Sequence, residues 1–371
     1  MEGESMSEWK AVKLGDLVTI KYGKDHKSLS DGVFPVFGSG GLMRKVDTYI
    51  YDKPSLLIPR KGTLNNIIYT EERFWTVDTM FWTKVDELQT SAKFLYYYLK
   101  DFNFNALNVG SAVPSLTVPI LNDIDIKLPS TDKQSDIVGI LSSLDAKIET
   151  NNKLNEKLEE MAQAIFKSWF VDFEPFKDKP FHETELGMIP EGWEVGSILD
   201  IAELFDSQRK PLSSMEREYM KGKYPYYGAT SIMDYIDKYI FDGTYLLMGE
   251  DGSVVKENGN PYLQYVWGKF WPNNHAHVMQ GRNGYSTEML YCLLSITDVS
   301  SIVTGAVQMK ISQRSMSRLL TVIPSKSVCK NFNTIIRPIF DIIKRIKEEN
   351  DRLASLRDTL LPRLMSGEIK I

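Results

Sequence analysis

The sequence predicts an α+β protein made of two sheet-containing domains, each followed by a long helix. Two observations support this fold class. Segments of the first half recur in the same order in the second half, and in each half short alternating apolar runs give way to a helical apolar period. The length of 371 residues also suits two or three domains better than a single core.

The internal repeat organises the whole chain. The segment "FPVFGSGGLM" begins at Phe34 and matches "YPYYGATSIM", which begins at Tyr224. Further matches follow in the same order, including "VDTYI" with "IDKYI", "FW" at residue 74 with "FW" at residue 270, and "KLPS" with "VIPS". Collinear matches of this kind predict two copies of one structural unit.

The first part of each copy reads as strands and loops. Short apolar runs such as "SLLIP" and "TYLLMG" stand between Gly, Pro and other turn residues, which is typical of strands. The segments "SAKFLYYYLKDF" and "STEMLYCLLSI" are the helices that we expect within these parts. We therefore predict mixed, sheet-containing domains at residues 8–130 and 192–325.

The second part of each copy predicts a long helix, at residues 131–175 and 326–371. Apolar residues recur there at steps of three, four and seven, which is the period of a coiled-coil seam. The register of the second seam is defined only to within one residue. The predicted helix–helix interface consists of Ile137, Leu141, Leu144, Ile148, Leu158 and Ile165 with Ile339, Ile342, Ile346, Leu353, Leu356 and Leu360.

Each long helix has one narrow apolar stripe and therefore needs a partner helix. The linker at 176–191 contains prolines and is long enough to let the second copy turn back. We expect the helices to pair as an antiparallel coiled coil with pseudo-two-fold symmetry. Asn151 and Asn155 interrupt the first seam, where they would either fix the register or lie in solvent.

The charge distribution suggests basic faces on an acidic molecule. A formal net charge of −5 on its own argues against a nucleic-acid partner, because DNA binding rests on neutralising phosphates. The Lys and Arg residues are nevertheless concentrated in segments 20–61 and 299–340, and the second of these contains no Asp or Glu. Ordinary solvated surface charge explains each cluster by itself equally well.

Cysteine content and hydropathy indicate the compartment. Cys292 and Cys329 are too few for a disulfide framework or a four-thiolate metal site. No apolar run reaches the roughly 18 residues of a membrane span, and "MEGESMSEWK" has acids where a signal peptide has basic and then apolar residues. We expect a cytoplasmic protein in which both cysteines are ordinary core thiols.

The sequence contains no recognisable catalytic motif. A Gly-rich Walker loop and the "DPPY"-like motif of methyltransferases are both absent. The segment "VDFEPFK" could be a nuclease acid cluster, but its aromatic residues at a helix end favour a packing role. His275 and His277 could be two metal ligands on a strand, yet no third ligand is nearby in sequence. A polar recognition loop or a buried pair is therefore favoured, and we predict no catalytic residue and no metal site.

Three segments carry a family resemblance: "KSWFVDFEPF" (167–176), "ELGMIPEGWE" (185–194) and "LLPRLMSGEI" (360–369). With the tandem units, they make nearly the whole chain resemble the specificity subunit of Type I restriction-modification systems. The resemblance implies two target recognition domains, each reading one half of a split DNA sequence, and a helical spacer that docks methyltransferase subunits. The two domains are too divergent to read the same half-sequence, which the family pattern allows.

The resemblance also implies partners and cofactors. Two methyltransferase (M) subunits and restriction (R) subunits would assemble on this chain. S-adenosylmethionine, ATP and Mg²⁺ would be bound by those subunits, and the M subunits would flip the target adenine out of the duplex. No cofactor is expected in this chain.

Two loops give the DNA interpretation a physical basis. In "PRKGTLN" (59–65) and "DSQRKP" (206–211), a guanidinium can reach a phosphate or guanine, and in the first a Gly lets the backbone approach the duplex. The alternative is that such loops only cap the sheets. The candidate DNA-binding residues are Lys24, Ser39, Arg44, Arg60, Lys61, Arg209, Lys210, Thr230, Asn274, His275, Gln308, Lys310 and Arg314.

The predicted function is a non-catalytic subunit that recognises a bipartite DNA sequence and docks M and R subunits. A coiled-coil scaffold that assembles proteins without touching DNA is the main alternative, and an enzyme with an unrecognised site is a third. Binding to a target duplex that is lost at raised salt would distinguish the first function from the second.

Overall fold

The computed structural model describes residues 9–110, 112–305, 308–369 and 371. The chain forms two compact units. The first unit comprises Met1–Thr150 and Glu349–Ile371, and the second comprises Asn151–Glu348. Each long helix therefore contributes one half to each unit, whereas the predicted domains treated each helix as a separate segment.

The described residues of the first unit form three sheets. Their strand orders are β2-β8-β5-β6, β4-β3-β7 and β1-β9. The strands are β1 (Lys10–Lys13), β2 (Val18–Tyr22), β3 (Asp31–Gly38), β4 (Gly41–Val46), β5 (Ser55–Pro59), β6 (Ile68–Thr70), β7 (Trp75–Thr76), β8 (Met80–Val85) and β9 (Asp125–Leu128). The helices are α1 (Leu14–Leu17), α2 (Ala92–Lys100), α3 (Val118–Asn122), the first half of α4 (Thr131–Phe170) and the second half of α9 (Lys326–Met365).

The second unit repeats this plan with additions. Its sheets have the orders β13-β20-β17-β18, β15-β14-β19-β16, β12-β21 and β10-β11. The strands are β10 (Phe181–Thr184), β11 (Gly187–Pro190), β12 (Glu194–Ser197), β13 (Ala202–Leu204), β14 (Lys221–Tyr227), β15 (Ile232–Ile236), β16 (Phe241–Asp242), β17 (Tyr245–Gly249), β18 (Leu263–Val266), β19 (Lys269–Pro272), β20 (Ala276–Gly281) and β21 (Leu320–Ile323). The helices are the second half of α4, α5 (Ile198–Ile201), α6 (Ser214–Tyr219), α7 (Thr287–Ser295), α8 (Gln313–Met316) and the first half of α9.

The sequence repeat is also a structural repeat. In the first unit β3 pairs with β7 in parallel, and in the second β14 pairs with β19 in the same way. The β3–β4 and β14–β15 hairpins share an irregularity, in which two residues of the first strand face Val46 or Ile236. A Cβ atom on Gly32 or Gly222 would lie 2.4 Å from backbone atoms of the facing strand, so the irregularity requires glycine in both units.

The predicted local elements are confirmed at several places. "SLLIP" forms β5, "TYLLMG" contributes β17, and the two predicted inner helices are α2 and α7. Ser91 and Ser286 cap α2 and α7 by accepting a hydrogen bond from the backbone N–H three residues later. Phe94 and Leu95 of α2 are fully buried against the apolar face of β5, so helix and sheet form one core.

The halves of α4 and α9 are antiparallel within each unit. In the first unit Asp145 pairs with Arg357 at 2.7 Å. Lys147, further along α4, lies 3.6 Å from Glu349, which comes earlier in α9. In the second unit Lys347 lies 3.6 Å from Glu159. Phe332 likewise contacts Phe166 and Phe170, with ring centroids 5.8 and 4.8 Å apart. Within each unit, residues later in α4 thus contact residues earlier in α9, so the two helices are antiparallel, as predicted.

The predicted seam needs correction in α9. Ile342 and Leu356 are 40% and 47% exposed, so their assignment to the helix–helix interface is wrong. Positions with a strict seven-residue repeat drift gradually around the surface of a straight helix. The helices also pack against their own domains, so their buried face is wider than a coiled-coil seam. Of the other predicted seam positions, Ile137, Leu141, Leu158 and Ile346 are buried, and Leu144, Ile148, Ile165, Ile339, Leu353 and Leu360 are partly buried. The buried apolar side chains of α9 that the predicted seam did not include are Cys329, Phe332, Ile336, Phe340, Ile343, Leu361, Leu364 and Met365.

The polar seam residues of α4 are inside the protein. Asn151 and Asn155 are buried, which excludes the solvated alternative. The linker is ordered as well, because it contains the β10–β11 hairpin and the buried side chains of Phe176 and Ile189. None of the described helices combines the length and apolarity needed to cross a bilayer.

Candidate nucleic-acid interface

Arg60 leads the basic loop of the first unit, directly after β5. Its guanidinium carbon lies 5.3 Å from the centre of the Tyr22 ring, and its Nη1 donates to the carbonyl of Asp78 at 3.1 Å. Tyr22 is 54% exposed and packs edge-on against buried Phe81. A guanidinium held over an aromatic ring keeps unused donors while losing little side-chain freedom. The following residue, Lys61, is exposed.

The tip of the β3–β4 hairpin packs against this basic loop. The amide of Asn66 donates to the carbonyl of Ser39 at 2.8 Å. A Cβ on Gly62 would lie 3.0 Å from the Ser39 hydroxyl, which shows how closely the two segments approach. The structure therefore brings the hairpin tip with Ser39 close to the loop that carries Arg60 and Lys61.

Lys24 and Arg44 differ in how free their side chains are to contact DNA. Lys24 is exposed, and its backbone anchors it, because its carbonyl accepts a hydrogen bond from the Trp75 indole at 3.0 Å. Arg44 lies 3.1 Å from Asp31 and donates to the carbonyl of Leu29 at 2.8 Å. Much of the guanidinium of Arg44 is thus committed inside the hairpin, so its predicted role as a DNA contact loses support.

In the second unit, Arg209 differs most clearly from its predicted role as a DNA contact. Its side chain is only 11% exposed. One nitrogen donates to a Glu250 carboxylate oxygen and to the carbonyl of Ala276, both at 2.6 Å. The prediction of a free cation is wrong here, because the carboxylate that neutralises it stands 41 residues away in sequence. The next residue, Lys210, is exposed.

Arg209 belongs to a group of charged side chains that we call the ion cluster, formed by Asp206, Arg209, Glu250, His277 and Lys310. His277 is 1% exposed, and its Nδ1 lies 2.6 Å from a carboxylate oxygen of Asp206. Glu250 also lies 3.3 Å from Lys310. Acids and bases that are remote in sequence are therefore paired where β13 and β17 end and β20 begins.

The carboxylate of Asp206 is strongly stabilised in its charged form. Burial raises its pKa, but the hydrogen bond and charge of His277, the backbone N–H of Val278 and the amide of Gln313 together outweigh burial. The pKa of Asp206 therefore lies below its ordinary value, and this group is ionised at neutral pH.

The ion cluster contains the third ligand that sequence reasoning did not find for His277. Ligand atoms of Asp206, Glu250 and His277 lie within 4.8 Å of one another, which is close enough for a metal ion. Each carboxylate, however, already faces a cation of the chain, which is the arrangement of ion pairs. No signal in the local sequence joins these residues, because they lie in three separate segments of the chain, after β13, after β17 and within β20.

The remaining candidates of the second unit lie around this cluster. His275 faces the carboxylate of Asp251. Lys310 and Asp251 form an isolated bridge between their backbones, so the loops that carry them are adjacent. Four further candidates are exposed: Thr230, Asn274, Gln308 and Arg314.

The acidic segment after α4 has a packing role. Asp172 pairs with Lys167 and Glu174 pairs with Lys177, each at 2.7 Å or less. The ring centroids of Phe173 and Trp193 are 5.7 Å apart. The acids thus balance neighbouring lysines around an aromatic cluster, as the packing interpretation predicted.

Comparisons with known proteins agree with this architecture. The model of the family described as Type I restriction modification DNA specificity domain matches residues 6–160 and 190–354. The MjaIX specificity subunit of Methanocaldococcus jannaschii is 26% identical over 349 residues, covering 87% of this chain and 79% of that one. The HindI specificity subunit of Haemophilus influenzae is 23% identical, covering 72% and 74% of the two chains.

A solved structure shows the same fold. The S subunit of a type I restriction-modification system from M. genitalium superposes with a TM-score of 0.59 at 18% identity, covering 98% of this chain and 97% of that chain. The paired sheet-and-helix units and the two family matches, one in each half, lead to one conclusion. The chain belongs to the family of type I restriction-modification specificity subunits, and its function is to recognise DNA sequence.

Proposed function

We propose that each unit reads its own half of a bipartite DNA target, and that the chain itself performs no catalysis. The observation that carries this proposal is a reversal of charge at one loop of a shared fold. "RKG" follows β5 in the first unit, and "EDG" follows β17 in the second. Arg60 and Glu250 accept equivalent backbone hydrogen bonds, from Leu116 at 2.9 Å and Ile311 at 2.8 Å. The same scaffold thus presents opposite chemistry, which suits two different half-sequences.

The first unit would bind through the hairpin tip and the basic loop beside it. Lys24 and Lys61 are exposed cations that suit phosphates, and the planar guanidinium of Arg60 matches the O6 and N7 acceptors of guanine. Ser39, packed against the loop, offers a hydroxyl at the same surface. Phosphate contacts would set the register, and Arg60 with Ser39 would contribute sequence selectivity.

The second unit would bind with fewer free cations and more polar groups. Lys210 and Arg314 are exposed and supply the phosphate contacts. Thr230, Asn274 and Gln308 are exposed side chains that can read base edges. His275, Lys310 and Arg209 would act mainly through their carboxylate partners, because each is close to an acid.

The chain would work as one part of a larger enzyme in the cytoplasm. Two M subunits would bind S-adenosylmethionine and methylate an adenine, and R subunits would use ATP and Mg²⁺ to act on unmodified DNA. Exposed apolar residues at seven-residue spacing on the helix halves of the second unit offer a docking surface for a partner subunit. These residues are Leu154 and Met161 on α4, and Ile335 and Ile342 on α9.

Domain exchange tests the division of labour. Residues 8–130 are replaced by the same region of a related specificity subunit, and methylated adenines are mapped in cells that carry the complete system. We expect one half of the recognised sequence to change and the other half to stay the same. A change in both halves would contradict independent reading. Failure of the purified chain to bind its mapped target at low salt would favour the scaffold alternative.

A further inference from the structure

Three equivalent positions carry different chemistry in the two units. Tyr22 and Phe81 face each other across β2 and β8, and Arg60 follows β5. In the second unit the register of β13 with β20 continues beyond Leu204 and Met279, so that Asp206 faces His277. Glu250 follows β17 as Arg60 follows β5. Tyr22, Arg60 and Phe81 of the first unit thus correspond to Asp206, Glu250 and His277 of the second.

Both nitrogens of the His277 ring face groups that only accept hydrogen bonds. Nδ1 lies 2.6 Å from Asp206 Oδ2, and Nε2 lies 2.7 Å from the carbonyl oxygen of Ile311. A neutral imidazole can donate from only one nitrogen, and its other nitrogen would then direct a lone pair at an acceptor. Because Asp206 also accepts hydrogen bonds from Val278 and Gln313, it has no need of a proton of its own. The geometry therefore requires a doubly protonated ring.

The surroundings of His277 are charged on several sides. Glu250 lies 3.7 Å from Nδ1, and it is shared with Arg209 and Lys310. Asp206 also has Arg209 at 3.6 Å. The paired strand β17 contributes the uncharged, buried Met248 opposite His277. Two carboxylates thus lie near the ring, and Arg209 and Lys310 pair with those carboxylates, which is compatible with a positive charge on His277.

We propose that protonated His277 is a positioning residue, which joins the two segments of the second unit that contact DNA. Asp206 begins the segment that carries Lys210, and Ile311 lies between Lys310 and Arg314. The ring hydrogen-bonds to both segments at once, so it fixes the distance between their DNA-contacting side chains. This inference rests on the proposed function of those segments.

A specific consequence follows from this arrangement. A side chain that cannot hydrogen-bond at this position removes the link between the two segments, so that the spacing of their DNA-contacting side chains is no longer fixed. Recognition by the second unit should then decline. The first unit has Phe81 at the equivalent position, which makes no such link, so its recognition should stay constant and serves as an internal control.

The test uses the full chain and duplexes that contain the target mapped from methylated adenines. Affinity is measured for the intact target and for targets with either half scrambled, with the parent chain and with His277→Phe, which installs the residue of the first unit. We expect discrimination of the second half to fall about tenfold or more in the variant, as expected for loss of a hydrogen bond to a charged group. Discrimination of the first half should not change. If a folded His277→Phe variant kept its second-half discrimination, the proposal would be overturned.

A second variant separates positioning from simple stability. In Asp206→Asn the ring can accept a hydrogen bond from the new amide and still donate to Ile311, so the link between the segments and second-half recognition should persist although the ion cluster loses a charge. Loss of second-half discrimination in a folded Asp206→Asn variant would overturn the proposal.

A separate pair of variants tests the underlying assumption about DNA contact. Lys210→Ala and Arg314→Ala remove exposed cations at no cost to the ion cluster. If neither variant weakens binding while His277 variants do, the proposed contact segments are wrong and the position of His277 matters for another reason. If both variants weaken binding but His277 variants leave second-half recognition unchanged, the positioning role is wrong and the proposed DNA contacts are supported.

Discussion

The guanidinium of Arg357 lies 2.7 Å from the carboxylate of Asp145, although 212 residues separate them in sequence. The other oxygen of this carboxylate accepts a hydrogen bond from the Tyr97 hydroxyl at 2.6 Å. One carboxylate therefore connects α2 of the domain with both long helices of the first unit. Burial and, to a smaller extent, hydrogen bonding to Asp145 raise the pKa of Tyr97, so the hydroxyl keeps its proton and remains a donor.

Removing this cation should destabilise the first unit. We expect Arg357→Met to lower the free energy of unfolding by about 1 to 3 kcal/mol, because Asp145 would keep a half-buried charge without its main partner. Urea denaturation followed by tryptophan fluorescence measures the effect. The control is Arg352→Met, an exposed position of the same helix, which should change stability little. Equal effects of the two variants would show that the Asp145 link is unimportant.

Phe332 should be the most sensitive position of the helix pair in the second unit. It is fully buried and contacts the rings of Phe166, Trp169 and Phe170. Phe332→Ala should cost about 3 to 5 kcal/mol, since the surrounding rings cannot close the cavity. Ile335→Ala, at an exposed position in the next turn, should cost less than about 0.5 kcal/mol. Thermal unfolding compares the two, and similar losses would contradict the observed register.

The sequence was most informative where a pattern is local or repeated. The fold class, the antiparallel helices and the inner helices α2 and α7 follow from periodicity and from collinear matches. The predicted seam was wrong at Ile342 and Leu356 because a heptad pattern describes contact with one partner helix, whereas α9 also packs against the domains. Arg209 failed for a different reason. Its partner Glu250 is close in space but 41 residues away in sequence, and no periodic pattern in the sequence reveals such a pair.

The two cysteines should be unreactive in the folded chain. Both are buried, which raises the pKa of Cys329 to about 11 and that of Cys292 further. Because the thiolate is the reactive form, a thiol-specific disulfide reagent at neutral pH should modify neither residue until denaturant is added. Ser28→Cys, at an exposed position, provides the positive control. Rapid modification of the native parent chain would contradict the packing of α7 or α9.

Acid should weaken the second unit through Asp206. The folded pKa of this residue is lowered, so its contribution to stability is complete above the ordinary pKa of an aspartate and is lost as pH falls through the folded pKa. Asp206→Asn should therefore flatten the decline of melting temperature in this acidic range. Asp237→Asn, an exposed position of the same unit, is the matched control and should leave the decline unchanged. Parallel profiles for the parent chain and Asp206→Asn would exclude this contribution.

Two arginines that look alike in sequence should behave differently. Arg60 is held over Tyr22 with donors to spare, so Arg60→Ala should weaken DNA binding by about 1 to 3 kcal/mol and relax selectivity at one base pair, with no change in unfolding. Arg209 is bonded to Glu250, so Arg209→Ala should instead lower the stability of the second unit by about 1 to 3 kcal/mol. Binding to target variants and thermal unfolding, measured on both proteins, separate the two outcomes. A loss that is equal for all sequences would reassign Arg60 to a phosphate, and a stable Arg209→Ala variant with impaired binding would restore Arg209 as a DNA contact.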